Sequence, residues 1–287
     1  MLIDPCMKLF LIAVAGVTAL WGEVDARELV RKSLANYQRD WHAALNYSYT
    51  EQDIEQKSGG KMVSVSDVTT IEGTPYEKLI SKDGHPLTEA EKRKEQEKYE
   101  KAVAQRHSET PAQRHKRIAD YEKQRSFLKE VPDAFNFKLL GEQAYEGRPA
   151  YVVECTPNPN YQPRNTFSRI FLKIHAKLWI DKQDVQWAKA EANVIDTVSF
   201  GFLLARIGKG ARIGMEQTRL NNEIWVPRRI SVNGNARIML LKNRNLTEEI
   251  ITSNYRLAKS PGEKPITSQP QSSTSTARLI EAKPAIR

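Results

Sequence analysis

A chain of 287 residues with 44 lysines and arginines against 35 aspartates and glutamates, a formal charge of +9, has room for one large or two modest domains. Two cysteines exclude a disulfide-stapled fold, and beyond the N-terminus no apolar stretch is long enough to cross a membrane as a helix. The basic balance suits contact with anionic lipid head groups or acidic polymers, and suits plain solubility equally well.

Residues 1–26 read as an export leader. Lys8 precedes an apolar run over residues 9–22, and Val24-Asp25-Ala26 puts small residues at the −3 and −1 positions of a cleavage site near Ala26. Met7 offers a second start. The run is short for a membrane span, and Cys6 lies on the wrong side of it for a lipoprotein leader. Export argues against nucleic acid as a partner.

From Ala26 to Ala44 the pattern is helical. Val30, Leu34, Tyr37 and Trp41 fall at i, i+4, i+7 and i+11, one apolar stripe that needs a surface to cover. Two strand patterns follow around Ser58-Gly59-Gly60, with Tyr47 and Tyr49 on one face and Val63, Val65 and Ile71 aligned in the second strand. Pro75–Ile80 predicts a further short strand, ended by Asp83-Gly84.

Residues 88–130 differ. Thr88 with Glu91, and Thr110-Pro111 with Gln113, are helix-start signatures. The stretch between them is nearly all charge, as in solvated helices braced by i,i+4 pairs. Ile118, Tyr121 and Leu128 give the second helix a docking side. The pair is expected to be a helical insertion or flap in a β protein.

Strand signals are dense from Phe137. Glu146-Gly147 turns one strand into the next, where Tyr151, Val153 and Cys155 share a face and Cys155 acts as a small hydrophobe. Pro157, Pro159 and Pro163 mark a loop. Lys173–Val194 then predicts a hairpin: Ile174, Ala176, Leu178 and Ile180 alternate with polar residues in one arm, and Ala188, Ala190, Ala192 and Val194 in the other. So small an inner face implies that a helix, a long side chain or a ligand fills the space beside it. Val198–Ile207 holds Phe200, Phe202, Leu203 and Leu204 between glycines, either buried core or a lip over an apolar cavity. Further strands are expected at 212–220, 224–232, 236–241 and 248–257, with turns at Asn221-Asn222 and Asn233-Gly234-Asn235. About ten strands in meander order imply one large, curled antiparallel sheet. Residues 259–287, rich in Ser, Thr and Pro, are expected to be disordered.

No catalytic constellation emerges. His42, His85, His107, His115 and His175 form no H-x-x-x-H pair, no G-x-S-x-G occurs, and Gly208, Gly210 and Gly214 do not make a nucleotide-binding G-x-G-x-x-G. Asp181 reads as a turn-former bonding to backbone N–H groups. Trp179, Trp187 and Trp225 read as buttresses of the sheet.

Y-V-V-E-C-T-P at 151–157, L-W-I-D at 178–181, Ala188-Lys189, N-N-E-I-W-V-P at 221–227 and N-Y-R-L at 254–257 resemble the lipoprotein-localisation (LolA/LolB/LppX-like) superfamily. The resemblance implies an α+β fold: a half-open β-barrel covered by the N-terminal helix, over residues 27–258, with the helical insertion at 88–130. It implies a periplasmic, non-enzymatic carrier that shelters lipid or lipoprotein acyl chains between sheet and helices, with no cofactor. Leu178, Ile180, Ala188, Ala190, Ala192, Phe202, Leu203 and Leu204 would line that cavity. Arg206 and Lys209 would face an anionic head group. The alternative is an envelope sensor or scaffold that binds a protein partner with the same fold.

Overall fold

The computed structural model describes residues 24–57, 60–200, 205–238 and 244–258. The expected leader, the tail from 259 and Phe202–Leu204 lie outside them. Helix α1 (Ala26–Ala44) starts at Asp25, whose side chain accepts the backbone N–H groups of Arg27 and Glu28. Its stripe is real: Val30, Leu34 and Tyr37 are buried.

After α1 come β1 (Tyr47–Lys57), β2 (Gly60–Ile71), β3 (Thr74–Lys82) and the short β4 (His85–Pro86). The charged segment forms α2 (Glu89–His107) and α3 (Pro111–Lys123), each opened by a complete capping box, at Thr88/Glu91 and Thr110/Gln113. It runs on past the expected end at 130, through a 3-10 turn at Ser126–Glu130 into α4 (Val131–Ala134). Then follow β5 (Phe135–Tyr145), β6 (Arg148–Pro157), β7 (Ile174–Asp181), β8 (Gln186–Val194), β9 (Val198–Phe200), β10 (Ala205–Ile207), β11 (Arg212–Leu220), β12 (Ile224–Ile238) and β13 (Arg244–Leu257).

The described strands form one antiparallel sheet in the order β4-β3-β2-β1-β13-β12-β11-β8-β7-β6-β5, with β10 also on β12 and β9 on β10. The first and last long strands therefore meet mid-sheet, where Ala258 N–H closes the pairing by donating to Asn46 O at 2.7 Å. The outermost strands, β4 and β5, do not pair, so the sheet is open. The helical segment 87–134 is the stretch of chain that joins these two edges.

Asn233-Gly234-Asn235 is not a turn. β12 runs through it without a break, paired to β11 and β13 on either side. Gly234 is needed for close approach: a Cβ there would lie 2.4 Å from the Cβ of Ala211.

The core lies between α1 and the β5–β8 and β11 part of the sheet. Val30, Leu34 and Tyr37 pack there with Val153, Leu178, Ile180 and Trp187. Each such burial contributes about 1.5–3 kcal/mol. Charged side chains grip the turn between β2 and β3. Arg106 donates to the carbonyls of Ile71, Thr74 and Pro75 at 3.2, 2.8 and 3.2 Å, and Arg117 donates to Glu72 O and Thr74 Oγ1. Ile118 lies over Gly73 of the same turn. α2 buries no residue, as its uniformly charged sequence dictates.

Candidate functional site

The small-residue hairpin meets α1. Tyr37 packs on Trp187 with ring centroids 5.3 Å apart, Leu178, Ile180 and Ala188 are buried, and half-buried Ala190 and Ala192 pack against the same cluster. The helix stripe thus lies over Ala190 and Ala192, but the face is not the one expected: a register shift between Trp179 and Ile180 brings Trp187 into this core, and its neighbour Ala188, though buried, lies outside the cluster. Of the expected head-group cations, Arg206 on β10 and Lys209 in the turn after it are both exposed.

A cavity of about 240 Å³ opens farther along the inner face, at the C-terminal end of α1. Strand alternation makes one of its walls. Tyr47, Tyr49 and Glu51 of β1 point inward at two-residue spacing, and Glu77 joins them from β3. Trp41 of α1, Leu45 just after that helix and Tyr121 of α3 form the roof. Ile230, Ile250 and Tyr255 complete the lining from β12 and β13.

The aromatic rings are paired. Tyr121 stacks on Trp41 at 5.1 Å, and Tyr49 lies 5.1 Å from Tyr255. The Arg125 guanidinium sits 5.0 Å over the Trp41 ring and 5.8 Å over that of Tyr121. The Tyr255 hydroxyl donates to Pro227 O at 2.7 Å, which fixes its ring. Burial pushes the Tyr255 phenol up to about 12 and raises that of Tyr49 as well, where the Glu51 charge adds to it.

The carboxylates are the less expected part. Burial first, then the charges of Glu77 and Asp53, push Glu51 up to about 7. Asp53 and Glu55 continue the alternation of β1 into a second cavity of about 150 Å³, shared with Met62, Leu79 and Lys82. Glu248 of β13 is raised by burial and by these two acids. Among the described residues no group of three His, Cys, Asp or Glu side chains is placed to hold a metal ion.

A buried acid holds the scaffold instead. Asp181 accepts Gln183 N–H and Asp184 N–H, the turn-forming role expected of it, and takes two hydrogen bonds from Arg148. Burial opposes its charge, but these donors outweigh that and hold the carboxyl below its ordinary range. Cys155 is buried, and burial pushes its thiol up to about 12, which suits a packing residue and not a nucleophile.

Glu51, Glu77, Tyr121 and Tyr255 were not among the expected site residues. The signal available was the shared face of Tyr47 and Tyr49: carried two residues further, it puts Glu51 on the inner wall.

No family model matches this sequence, and no curated protein matches it. Solved structures similar to it include a LolA superfamily protein from Nitrosomonas europaea, 11% identical over 82% of this chain and 94% of that one, with a TM-score of 0.32. Lipoprotein LppX of Mycobacterium tuberculosis is 9% identical, with 81% and 98% covered and a TM-score of 0.30. The MucA/MucB complex of Pseudomonas aeruginosa matches at 11% identity, with 76% and 93% covered and a TM-score of 0.21. Likeness at this level carries no argument about ligand or activity. The LolA/LppX-like architecture that the sequence resembles is present in the chain's own topology, one open antiparallel sheet with the N-terminal helix against its inner face.

Proposed function

We propose that this protein is a non-enzymatic binding or carrier protein of the cell envelope, exported to the periplasm, that shelters the apolar chain of a lipid or lipoprotein between its sheet and its helices. The observation that carries this reading is the cavity under Trp41, roofed by α1 and α3 and walled by Tyr47, Ile230 and Ile250. Each methylene moved into such a space contributes about 0.8 kcal/mol, so part of one chain suffices for useful affinity. Arg125 and Tyr121 belong to the segment that joins the sheet edges, so shifting that segment would open the roof.

Mass spectrometry of the gently purified protein is the direct test, with co-purified lipid expected. Ile250→Arg is expected to keep the far-UV circular dichroism and abolish uptake of a fluorescent acyl probe. Protein that carries no lipid and takes up no probe sinks the proposal.

A protein partner is the second reading, favoured by α2, a 19-residue helix with no buried residue. Replacing residues 89–107 by a short linker separates the two: partner capture lost with probe uptake kept supports the scaffold reading.

A further inference from the structure

We propose that the cavity under Trp41 selects a cationic head group, a primary or quaternary ammonium attached to an apolar chain. This rests on the binding reading above and reverses the sign of head group that Arg206 and Lys209 implied.

Charge balance inside the cavity comes first. Its lining holds two carboxylates, Glu51 and Glu77, against a single cation, Arg125. The chain as a whole is basic, and elsewhere many of its acids are held in ion pairs, as Glu72 with Arg114, Glu109 with Arg117 and Glu249 with Arg229. Among the described residues no ion pair or hydrogen bond reaches the carboxylate of Glu51 or of Glu77. A protein with spare lysines and arginines leaves two acids on the cavity lining, half-buried Glu51 and exposed Glu77 at its rim, without a cation of its own. A cation that enters from outside and sheds its water there recovers the attraction that the fold leaves unused.

The walls supply the second half of an ammonium site. Trp41, Tyr121, Tyr49 and Tyr255 surround the space with ring faces and edges. Ring faces attract a cation whose hydration is lost, and quaternary ammonium groups are held this way in aromatic cages. The molecule shows the preference itself, since Arg125 lies over both Trp41 and Tyr121. Ile230 and Ile250 beside these groups accept the start of an alkyl chain. The two carboxylates come from different strands, Glu51 from β1 and Glu77 from β3, and among the described residues no third metal-ligating side chain joins them, which suits a bulky organic cation better than a metal ion.

The test uses four decyl probes below their micelle concentrations: decyltrimethylammonium, decylamine, decanol and decanoate. Binding to the purified protein is read by calorimetry and by tryptophan fluorescence. Both cations are expected to bind about ten-fold more tightly than decanol, and decanoate more weakly than decanol. Glu51→Gln with Glu77→Gln is expected to erase most of that advantage, bringing both cations to within about two-fold of the variant's own affinity for decanol. Equal affinity for all four probes, tighter binding of decanoate, or a preference that survives the double variant overturns the inference and leaves the acyl-binding reading standing. Failure of every probe, decanol included, overturns both.

Discussion

The carboxylate of Asp40, near the end of α1, accepts the backbone N–H of Trp225 on β12 at 3.0 Å. The same oxygen takes the side-chain amide of Gln186 on β8 at 2.7 Å. All three residues are buried. One acid therefore pins the helix to two strands that are separated in the sheet by β11, and it fixes where Trp41, one residue on, enters the cavity roof. Asp40→Ala strands two buried donors and is expected to cost about 2–4 kcal/mol. Urea unfolding followed by tryptophan fluorescence measures it. Asp40→Asn keeps one acceptor oxygen and is expected to lose about half as much. A cost under about 0.5 kcal/mol for the alanine variant refutes the pinning role.

Glu51 makes stability depend on pH in a predictable direction. Its carboxyl is raised to about 7 in the folded protein, above the ordinary carboxylate value near 4.3. Between those two values the folded state keeps a proton that the unfolded chain releases. Stability contributed by this group is thus complete below about 4.3, falls as pH rises through the window, and is lost above about 7. The charges acting on it are Glu77 on β3 and Asp53 on its own strand; Tyr49, Tyr255, Tyr121 and Arg125 are the other titratable groups that line the cavity with it. Solvent access to the half-buried carboxyl holds the net effect to about 1 kcal/mol. Glu51→Gln is expected to raise the melting temperature by a few degrees at pH 8 and to leave it unchanged at pH 4. A gain of equal size at both pH values refutes the electrostatic account.

Local signals carried most of the fold. Both capping boxes are contained in four-residue windows, so Thr88/Glu91 and Thr110/Gln113 could be placed before any tertiary structure existed. The Val30–Tyr37 part of the helix stripe and the hairpin within Lys173–Val194 are equally local and prove to pack together, though the register shift between Trp179 and Ile180, which turns Trp187 inward, was not legible in the alternation. What escaped depends on distant partners. The pairing of β1 with β13 joins residues about 200 positions apart, and nothing near Tyr47 specifies Leu257. The acids of β1 escaped because alternation alone does not say which face turns inward, and charge suggests outward. Only the roof of Trp41 and Tyr121 makes Glu51 a wall residue.

Gly234 is a case where local chemistry misleads. Asn-Gly is a strong turn signal, yet here the glycine lies in a continuous strand against Ala211, itself buried and tied to Val194 by a backbone hydrogen bond of 2.8 Å. Gly234→Val forces β12 and the β10–β11 connection apart and is expected to cost about 1–3 kcal/mol. Asn233, exposed and free of any turn duty, is expected to tolerate alanine within about 0.5 kcal/mol. Chemical denaturation of both variants distinguishes the cases. Equal losses would restore the turn reading.

Arg106 anchors the segment that spans the open side of the sheet. Its guanidinium reaches three carbonyls of the β2–β3 turn, and its ring contact with Tyr76 adds a fourth hold. Lysine offers a point charge on a flexible stem and cannot reproduce that planar fork. Arg106→Lys and Arg106→Ala are therefore both expected to loosen residues 106–117, the lysine variant only slightly less. Hydrogen exchange in α2 and the start of α3 is expected to speed up by about ten-fold, equivalent to roughly 1.4 kcal/mol of local stability. The core of α1 around Val30 and Leu34 packs on strands that Arg106 does not touch, so its protection is expected to hold. Because Tyr121 and Arg125 follow on the same segment, entry of an acyl probe is expected to speed up in step. Exchange that rises equally in α1 would mean that Arg106 supports the whole fold and not this strap alone.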